Sequence, residues 1–94
     1  MANESILEKN NLCVDKAYKL LQENKIYSEV WCDSNLPFIY VQIDNGDWKH
    51  EHLFAKHLLE ENHFQFICSN EIGDSEDDTY SAVHKFMCLG AWGC

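Results

Sequence analysis

The chain has 94 residues, of which 46% are apolar and 13% aromatic. This composition suits one compact domain spanning residues 1–94 and argues against disorder. Sixteen acids face seven basic residues, all of them lysine, so the formal net charge is -9. Because affinity for nucleic acid depends on basic groups, and arginine is the usual reader of phosphate and guanine, direct nucleic-acid binding is not expected. Residues 27–94 hold twelve of the acids but three of the lysines, and so carry the whole net charge.

Neither a secretory signal nor a membrane span is expected from the sequence. The N-terminus lacks a basic segment followed by an apolar run, and no purely apolar stretch is longer than about four residues. The five cysteines form no C-x-x-C pair, which argues against a zinc knuckle or a thioredoxin-type site. We therefore expect a cytoplasmic protein with reduced thiols and no cofactor.

The first predicted element is an amphipathic helix of about five turns. Ser5 and Glu8 have the spacing of a capping box, which predicts that the helix starts there. The pattern fades near Asn24. Apolar residues recur at helical spacing at Ile6, Leu7, Cys13, Val14, Ala17, Leu20 and Leu21.

The rest of the chain predicts two hairpin strands, a helix and two further strands. Residues 26–33 and 38–44 are rich in β-branched and aromatic side chains and are separated by a turn. Asp47 is predicted to cap a helix over 48–62, and strands are predicted over 64–69 and 79–89. The order α-β-β-α-β-β predicts an α+β two-layer sandwich, with a four-stranded, mainly antiparallel sheet and two helices on one face. The apolar stripe predicted for the second helix is Trp48, Phe54, Ala55, Leu58 and Leu59.

A two-layer sandwich leaves one face of the sheet without helices. Strand alternation directs one set of side chains to the helices, namely Val30, Ile39, Val41 and Ile43. The other set faces the open side, namely Tyr27, Trp31, Phe38 and Tyr40. An aromatic patch rimmed with acids is typical of a protein interface. Alternatively, residues 90–94 fold back over this face, or the chain forms a homodimer through it.

The facing of the fourth strand is left open by its sequence. Tyr80, His84 and Phe86 alternate with a second set of apolar residues, Val83, Met87 and Leu89. If the first set joins the hairpin, the open face is strongly aromatic.

Four of the five histidines lie in or beside the second predicted helix, at positions 50, 52, 57 and 63. Chelation on one helix face needs histidines three or four residues apart, and these spacings are different. The sequence therefore predicts no metal site by spacing alone. A site would need His52 to be joined by His84, or by an acid such as Asp47, through the fold. The alternative is a solvated face that gains positive charge below pH of about 6.5.

The densest charge lies in the polar connection 70–78, where the acids are Glu71, Asp74, Glu76, Asp77 and Asp78. A calcium loop of the EF-hand type is excluded, because Thr79 stands where the glycine is needed and Lys85 where the bidentate acid is needed. The acids form either a solvated hairpin loop or a row of negative charge for a basic partner. No nucleophilic pair is predicted, since Ser81 and His84 point to opposite faces of a strand.

The stretches NGDWKHEH at 45–52 and DDTYSAVHKF at 77–86 resemble uncharacterised small proteins of bacteria and their phages. In size and charge the chain is similar to phage anti-defence proteins such as anti-CRISPRs. That resemblance implies action by binding, with acids presented where a nuclease expects DNA phosphates.

The leading hypothesis is a non-catalytic interaction protein whose acidic surface occupies the nucleic-acid-binding cleft of a larger basic protein. Its predicted contacts are Glu71, Asp74, Glu76, Asp77, Asp78, Trp31, Tyr40 and Tyr80. An immunity protein against a nuclease toxin would show the same composition. A small metal-dependent enzyme built on His52, His84 and acids of the second helix is the alternative from another class. A housekeeping domain whose acidity serves solubility is a further possibility.

Overall fold

The predicted order of helices and strands is confirmed, with one additional helical turn. The computed structural model describes residues 2–72 and 79–89, and it describes side chains from residue 7 onward. Its elements are α1 (Ala2–Glu23), β1 (Glu29–Cys32), β2 (Ile39–Asp47), a π-helical turn (Trp48–Leu53), α2 (Phe54–Glu61), β3 (Phe64–Glu71) and β4 (Thr79–Cys88).

The four strands form one sheet in the order β1-β2-β4-β3, and all neighbouring strands are antiparallel. Both helices pack on one face of this sheet, so the α+β two-layer sandwich is confirmed. Ile39, Val41 and Ile43 are buried on the helix side as predicted, and Val30 packs against them. The helices contribute Cys13, Ala17, Leu21, Ala55 and Leu59 to the same core. No helix of the described residues is long and apolar enough to cross a membrane.

Helix α1 starts earlier than predicted and ends in a hydrogen-bonded cap. It begins at Ala2, so Ser5 lies inside the helix and the predicted start is wrong, because each residue added to an existing helix gains a backbone hydrogen bond. At the other end Lys25 has a φ of 61°. The N–H of Ile26 donates to the carbonyl of Leu21 at 2.9 Å, as in a Schellman motif. This cap occupies the start of predicted strand 26–33, which explains why β1 begins only at Glu29.

The predicted second helix divides into a π-helical turn and α2. Asp47 caps it as predicted, since its carboxylate accepts a hydrogen bond from the backbone N–H of His50 at 2.8 Å. This bond is the main cause of the lowered pKa of Asp47. Hydrogen bonds in a π-helix span five residues instead of four, which changes the direction of the following side chains. The prediction that Trp48 and Phe54 lie on the buried apolar stripe is therefore wrong, because these side chains are 41% and 46% exposed. His52 is buried instead.

Two strand irregularities flank this turn. In β2 the register shifts between Ile43 and Gly46, and in β3 it shifts between Phe66 and Cys68. Before the second bulge Phe66 lies opposite Phe86 on the helix side, whereas after it Ser69 lies opposite His84. A bulge inserts one extra residue and so exchanges the faces of the residues that follow. It thereby brings Ser69 to the face that His84 occupies.

The register of β4 decides the facing that its sequence left open. His84 lies opposite Val41 and Phe86 opposite Ile39, and both are buried on the helix side. An open face that includes His84 and Phe86 is therefore wrong, because antiparallel partners share a face of the sheet. Val83 and Lys85 take the open side instead.

Candidate functional sites

The open side of β1 and β2 and the segment before them form an aromatic and acidic surface. We call it the hairpin face and define it by Tyr27, Glu29, Trp31, Tyr40, Gln42 and Asp44. The rings of Trp31 and Tyr40 stack with centroids 5.8 Å apart and an interplanar angle of 21°. Trp31 remains 40% exposed and Tyr27 is 76% exposed. This surface presents a stacked aromatic pair to its surroundings.

The Tyr40 hydroxyl is fixed by an acid of the turn between β1 and β2. It donates a hydrogen bond of 2.6 Å to Asp33 Oδ2. This bond, assisted by partial burial, raises the pKa of Tyr40 to about 12. The ring is thereby held in one orientation beside Trp31.

Carboxylates border the aromatic pair on the same face. Glu29 lies opposite Gln42 in the sheet, and Gln42 Nε2 donates to Asp44 Oδ1 at 3.0 Å. Together with Tyr27 and Ser28 these residues line a depression of about 310 Å³. Glu29 and Asp44 are exposed. Two negative charges therefore lie next to exposed rings, an arrangement that suits a lysine or arginine side chain of a partner.

A lysine of this protein already makes such a contact with aromatic rings on this side of the sheet. Lys85 Nζ lies 4.1 Å from the centroid of the Phe38 ring and 5.9 Å from that of Tyr40. Both distances are within the range of cation–π attraction. The aromatic surface beside β4 therefore binds an ammonium group within the folded chain.

The predicted partner contacts do not form one surface. Trp31 and Tyr40 lie together, but Tyr80 lies opposite Gly46, roughly 20 Å farther along β2. There its ring meets Trp48 edge to face at 5.6 Å, and Glu71 borders the same hollow. Asp74, Glu76, Asp77 and Asp78 lie outside the described residues, as does the segment 90–94.

A chain of hydrogen bonds runs through a buried histidine pair on the helix side of the sheet. His52 and His84 are 1% and 3% exposed. His52 Nδ1 lies 2.8 Å from His84 Nε2, and His52 Nε2 lies 2.8 Å from the Tyr80 carbonyl oxygen. Ser69 Oγ lies 2.6 Å from His84 Nδ1. We call these four groups the histidine chain.

With both imidazoles uncharged, the carbonyl group at one end sets the direction of every bond in the histidine chain. A carbonyl only accepts, so His52 Nε2 donates to Tyr80. In a neutral ring His52 Nδ1 then accepts, and His84 Nε2 is its donor. His84 Nδ1 is left as an acceptor, and the Ser69 hydroxyl donates to it. The result is a serine hydroxyl directed at the basic nitrogen of a neutral imidazole.

Burial keeps the His84 imidazole neutral. Together with the nearby His52 and Lys56, burial lowers the pKa of His84 to about 4. His84 is therefore uncharged at neutral pH, which agrees with the bond directions given above.

The histidine chain borders a cavity of about 290 Å³. Trp48 covers His52, with ring centroids 5.4 Å apart and an interplanar angle of 26°. Lys56 also lines the cavity, and its Nζ lies 4.5 Å from the centroid of the Phe66 ring. The cavity is lined by Trp48, His52, Leu53, Lys56, Phe66, Ser69 and His84.

The fold thus joins His52 to His84, the two residues that a metal site would have needed. Within residues 2–72 and 79–89, no group of three or more His, Cys, Asp or Glu side chains is placed to hold a metal ion. Both nitrogens of each ring already have a protein partner. The two histidines therefore belong to a hydrogen-bonded chain whose third side chain is Ser69.

Ser69 was missed by the sequence analysis. Regular strand alternation would place residue 69 on the opposite face of the sheet from Phe64 and Phe66. The bulge between Phe66 and Cys68 moves Ser69 to the same face, and no residue type in the strand indicates that bulge. Strand alternation puts Ser81 on the opposite face of β4 from His84. Ser81 has a different role, since its hydroxyl accepts a hydrogen bond from the Asn45 N–H at 3.0 Å.

No protein-family model matches the chain, and a search of curated proteins finds no match. Function must therefore be argued from the two sites.

Proposed function

We propose that the hairpin face is a non-catalytic interaction surface, and that it binds a basic surface of a larger protein. The observation that carries the proposal is the stacked Trp31–Tyr40 pair, in which Trp31 is 40% exposed, on the same face of the hairpin as Glu29 and Asp44. Aromatic anchors surrounded by complementary charge are the residues that contribute most binding energy in protein interfaces.

The charge of the chain supports a basic partner. A net charge of -9 would attract a positively charged surface over a distance and accelerate encounter. The contact of Lys85 with Phe38 and Tyr40 is an intramolecular example of the recognition proposed for the lysines and arginines of the partner. At the interface the aromatic pair would supply the desolvated centre and the acids the rim.

Nucleic-acid-binding proteins are the class of partner that this chemistry fits best. Their clefts are lined with basic groups that release counterions when occupied. We therefore propose an inhibitor that competes with nucleic acid for such a cleft, of the anti-defence type and acting in the cytoplasm. The free thiols of Cys13, Cys32, Cys68 and Cys88 fit a reducing compartment. An immunity protein against a nuclease toxin would use the same surface, and the identity of the partner would separate the two.

Affinity capture from the native host, with a matched pair of variants, tests the proposal. W31A removes the exposed half of the aromatic pair, whereas Y18A removes an exposed tyrosine of α1, which is 48% exposed. We expect wild type and Y18A to retain the same protein, and W31A to lose it. The retained protein is then purified and titrated at 50 and at about 300 mM salt, with and without its nucleic acid.

Binding that weakens about tenfold or more in W31A, weakens with salt and is competed by nucleic acid would support the proposal. Equal binding by W31A and Y18A would contradict the assigned face. An affinity that salt leaves unchanged would contradict the electrostatic basis of recognition.

A further inference from the structure

Two uncommon backbone features converge on the cavity beside the histidine chain, and a third packs against one of them. The π-helical turn carries Trp48 and His52, and the bulge in β3 turns Ser69 toward His84. The shifted register of β2 brings Gly46 against the π-helical turn, where an added Cβ would lie 3.0 Å from Glu51 Oε2. Such π-turns and bulges recur at functional sites, where they redirect side chains. Here both deliver polar groups to the same cavity.

The solvent accessibility of Ser69 distinguishes this arrangement from a hydrogen-bond network that is buried entirely in the core. His52 and His84 are buried, but Ser69 is exposed on an edge strand and its hydroxyl lies at the cavity. The nucleophile of an acyl transfer must be open to substrate, while its base is held by a third group. Ser69, His84 and His52 are arranged as such a nucleophile, its base and the group that holds the base.

We propose that Ser69 is a nucleophile and His84 its general base in the hydrolysis of small carboxylic esters, with His52 as a positioning residue. The geometry that supports this is the 2.6 Å bond from Ser69 to His84 Nδ1 and the 2.8 Å bond from His84 Nε2 to His52. The inference is independent of the hairpin face, because the cavity lies on the helix side of the sheet and the hairpin face lies on the open side.

The first half of the reaction forms an acyl-serine. Ser69 Oγ bonds to the ester carbonyl carbon while its proton passes to His84 Nδ1. The imidazolium so formed donates from Nε2 to His52, whose own donor is held by the Tyr80 carbonyl. The Lys56 ammonium on the cavity wall is the group available to stabilise the oxyanion. The C–O bond to the leaving alcohol then breaks, and the alcohol departs with the proton from His84.

Water completes the second half. His84 Nδ1 takes a proton from a water molecule as its oxygen bonds to the acyl carbon. The bond to Ser69 Oγ then breaks, and the proton returns to Ser69. The balance is one ester and one water converted to one acid and one alcohol.

The cavity walls indicate the class of substrate. Trp48, Leu53 and Phe66 are apolar, and about 290 Å³ is at the lower end of the volumes of ligand pockets. A short acyl chain or a single ring fits such a space. We therefore expect esters of small apolar groups to react, and long-chain or polymeric esters to be excluded.

The decisive test is covalent labelling of the purified full chain with an alkyl fluorophosphonate, followed by peptide mapping, together with hydrolysis of p-nitrophenyl butyrate. S69A should lose the label and hydrolyse the ester at least about 100-fold more slowly. S34A removes an exposed serine of the turn after β1 and should behave as wild type. Far-UV circular dichroism checks that each variant is folded. Absence of label from wild type, or equal labelling in S69A, would overturn the proposal.

A pH profile of labelling tests the place of His52. The described charged or titratable side chains that act on His84 are His52, from the π-helical turn, and Lys56, from α2. In wild type the labelling rate should rise through a midpoint of about 4, where His84 loses its proton. H52Q removes one of the two groups that lower this value, so its midpoint should move upward. An unchanged midpoint in folded H52Q would contradict the role of His52 as a positioning residue for His84.

Discussion

The imidazole rings of His52 and His84 meet at 2.8 Å, although the two residues are 32 positions apart in the chain. Each ring also has a second hydrogen-bond partner, and burial lowers the pKa of His84 to about 4. Protonation of the buried His84 ring would take away the nitrogen that accepts from Ser69, and it is therefore unfavourable in the folded state. This relationship makes the stability of the protein dependent on pH.

Stability should fall as the pH is lowered from about 6.5 toward 4. His84 has a pKa of about 4 in the folded state and an ordinary value of 6.5 in the unfolded state. Between these values the unfolded chain binds more protons, so acid favours unfolding; above 6.5 the contribution of His84 is constant. The full effect is about 3 kcal/mol, since one pKa unit corresponds to about 1.4 kcal/mol. Urea unfolding at several pH values measures it.

Two histidine variants isolate this contribution. H84Q removes the titrating ring and should flatten the pH dependence between 4 and 6.5. H57Q removes an exposed histidine of α2 and should retain the wild-type slope. Equal slopes in wild type and H84Q would show that His84 is not protonated on unfolding.

Asn10 should be the most important polar side chain for anchoring α1. It is 0% exposed, and its Nδ2 donates to the carbonyls of Asp33 and Leu36 at 2.9 and 2.7 Å. Because N10A leaves both carbonyls without this donor, we expect a loss of about 2 to 4 kcal/mol of unfolding free energy. N11A, next along the helix on an exposed position, should cost about 0.5 kcal/mol or less. Chemical denaturation compares the two, and equal costs would contradict the anchoring role.

Gly46 should tolerate no side chain. A Cβ built there would lie 2.8 Å from Ile43 Cγ2 and 3.0 Å from Glu51 Oε2. G46A must therefore displace the Ile43 side chain and the Glu51 side chain of the π-helical turn, at a cost of about 1 to 3 kcal/mol. D44A, an exposed change in the same strand, is the control and should be nearly neutral. A thermal melt of G46A that coincides with wild type would show that the turn moves away freely.

The thiols should differ sharply in reactivity. Cys13 is 1% exposed, and burial together with the neighbouring Cys88 raises its pKa to about 12. Cys68 is exposed on β3. Iodoacetamide at pH of about 8 should therefore alkylate Cys68 in the folded protein and Cys13 only after denaturation, because the thiolate is the reactive form. Mass mapping of the labelled peptides measures this, and early labelling of Cys13 would indicate local opening of α1.

Much of the fold was available from local patterns in the sequence. The order of elements, the Asp47 cap, and the burial of Ile39, Val41 and Ile43 depend on periodicity and capping within a few residues. The charge of the chain likewise follows from composition alone. Tyr27 and Trp31 were placed on the open side by the same alternation that buries Val30.

The site of the histidine chain was decided by tertiary structure. The facing of His84 depends on the register between β2 and β4, and that of Ser69 depends on a bulge in β3. His52 is buried because a π-helical turn changes the direction of side chains along 48–53. Register, bulges and helix phase result from packing between distant segments. The sequence by itself thus determined which elements form and which side chains are apolar, whereas long-range packing decided which polar groups meet.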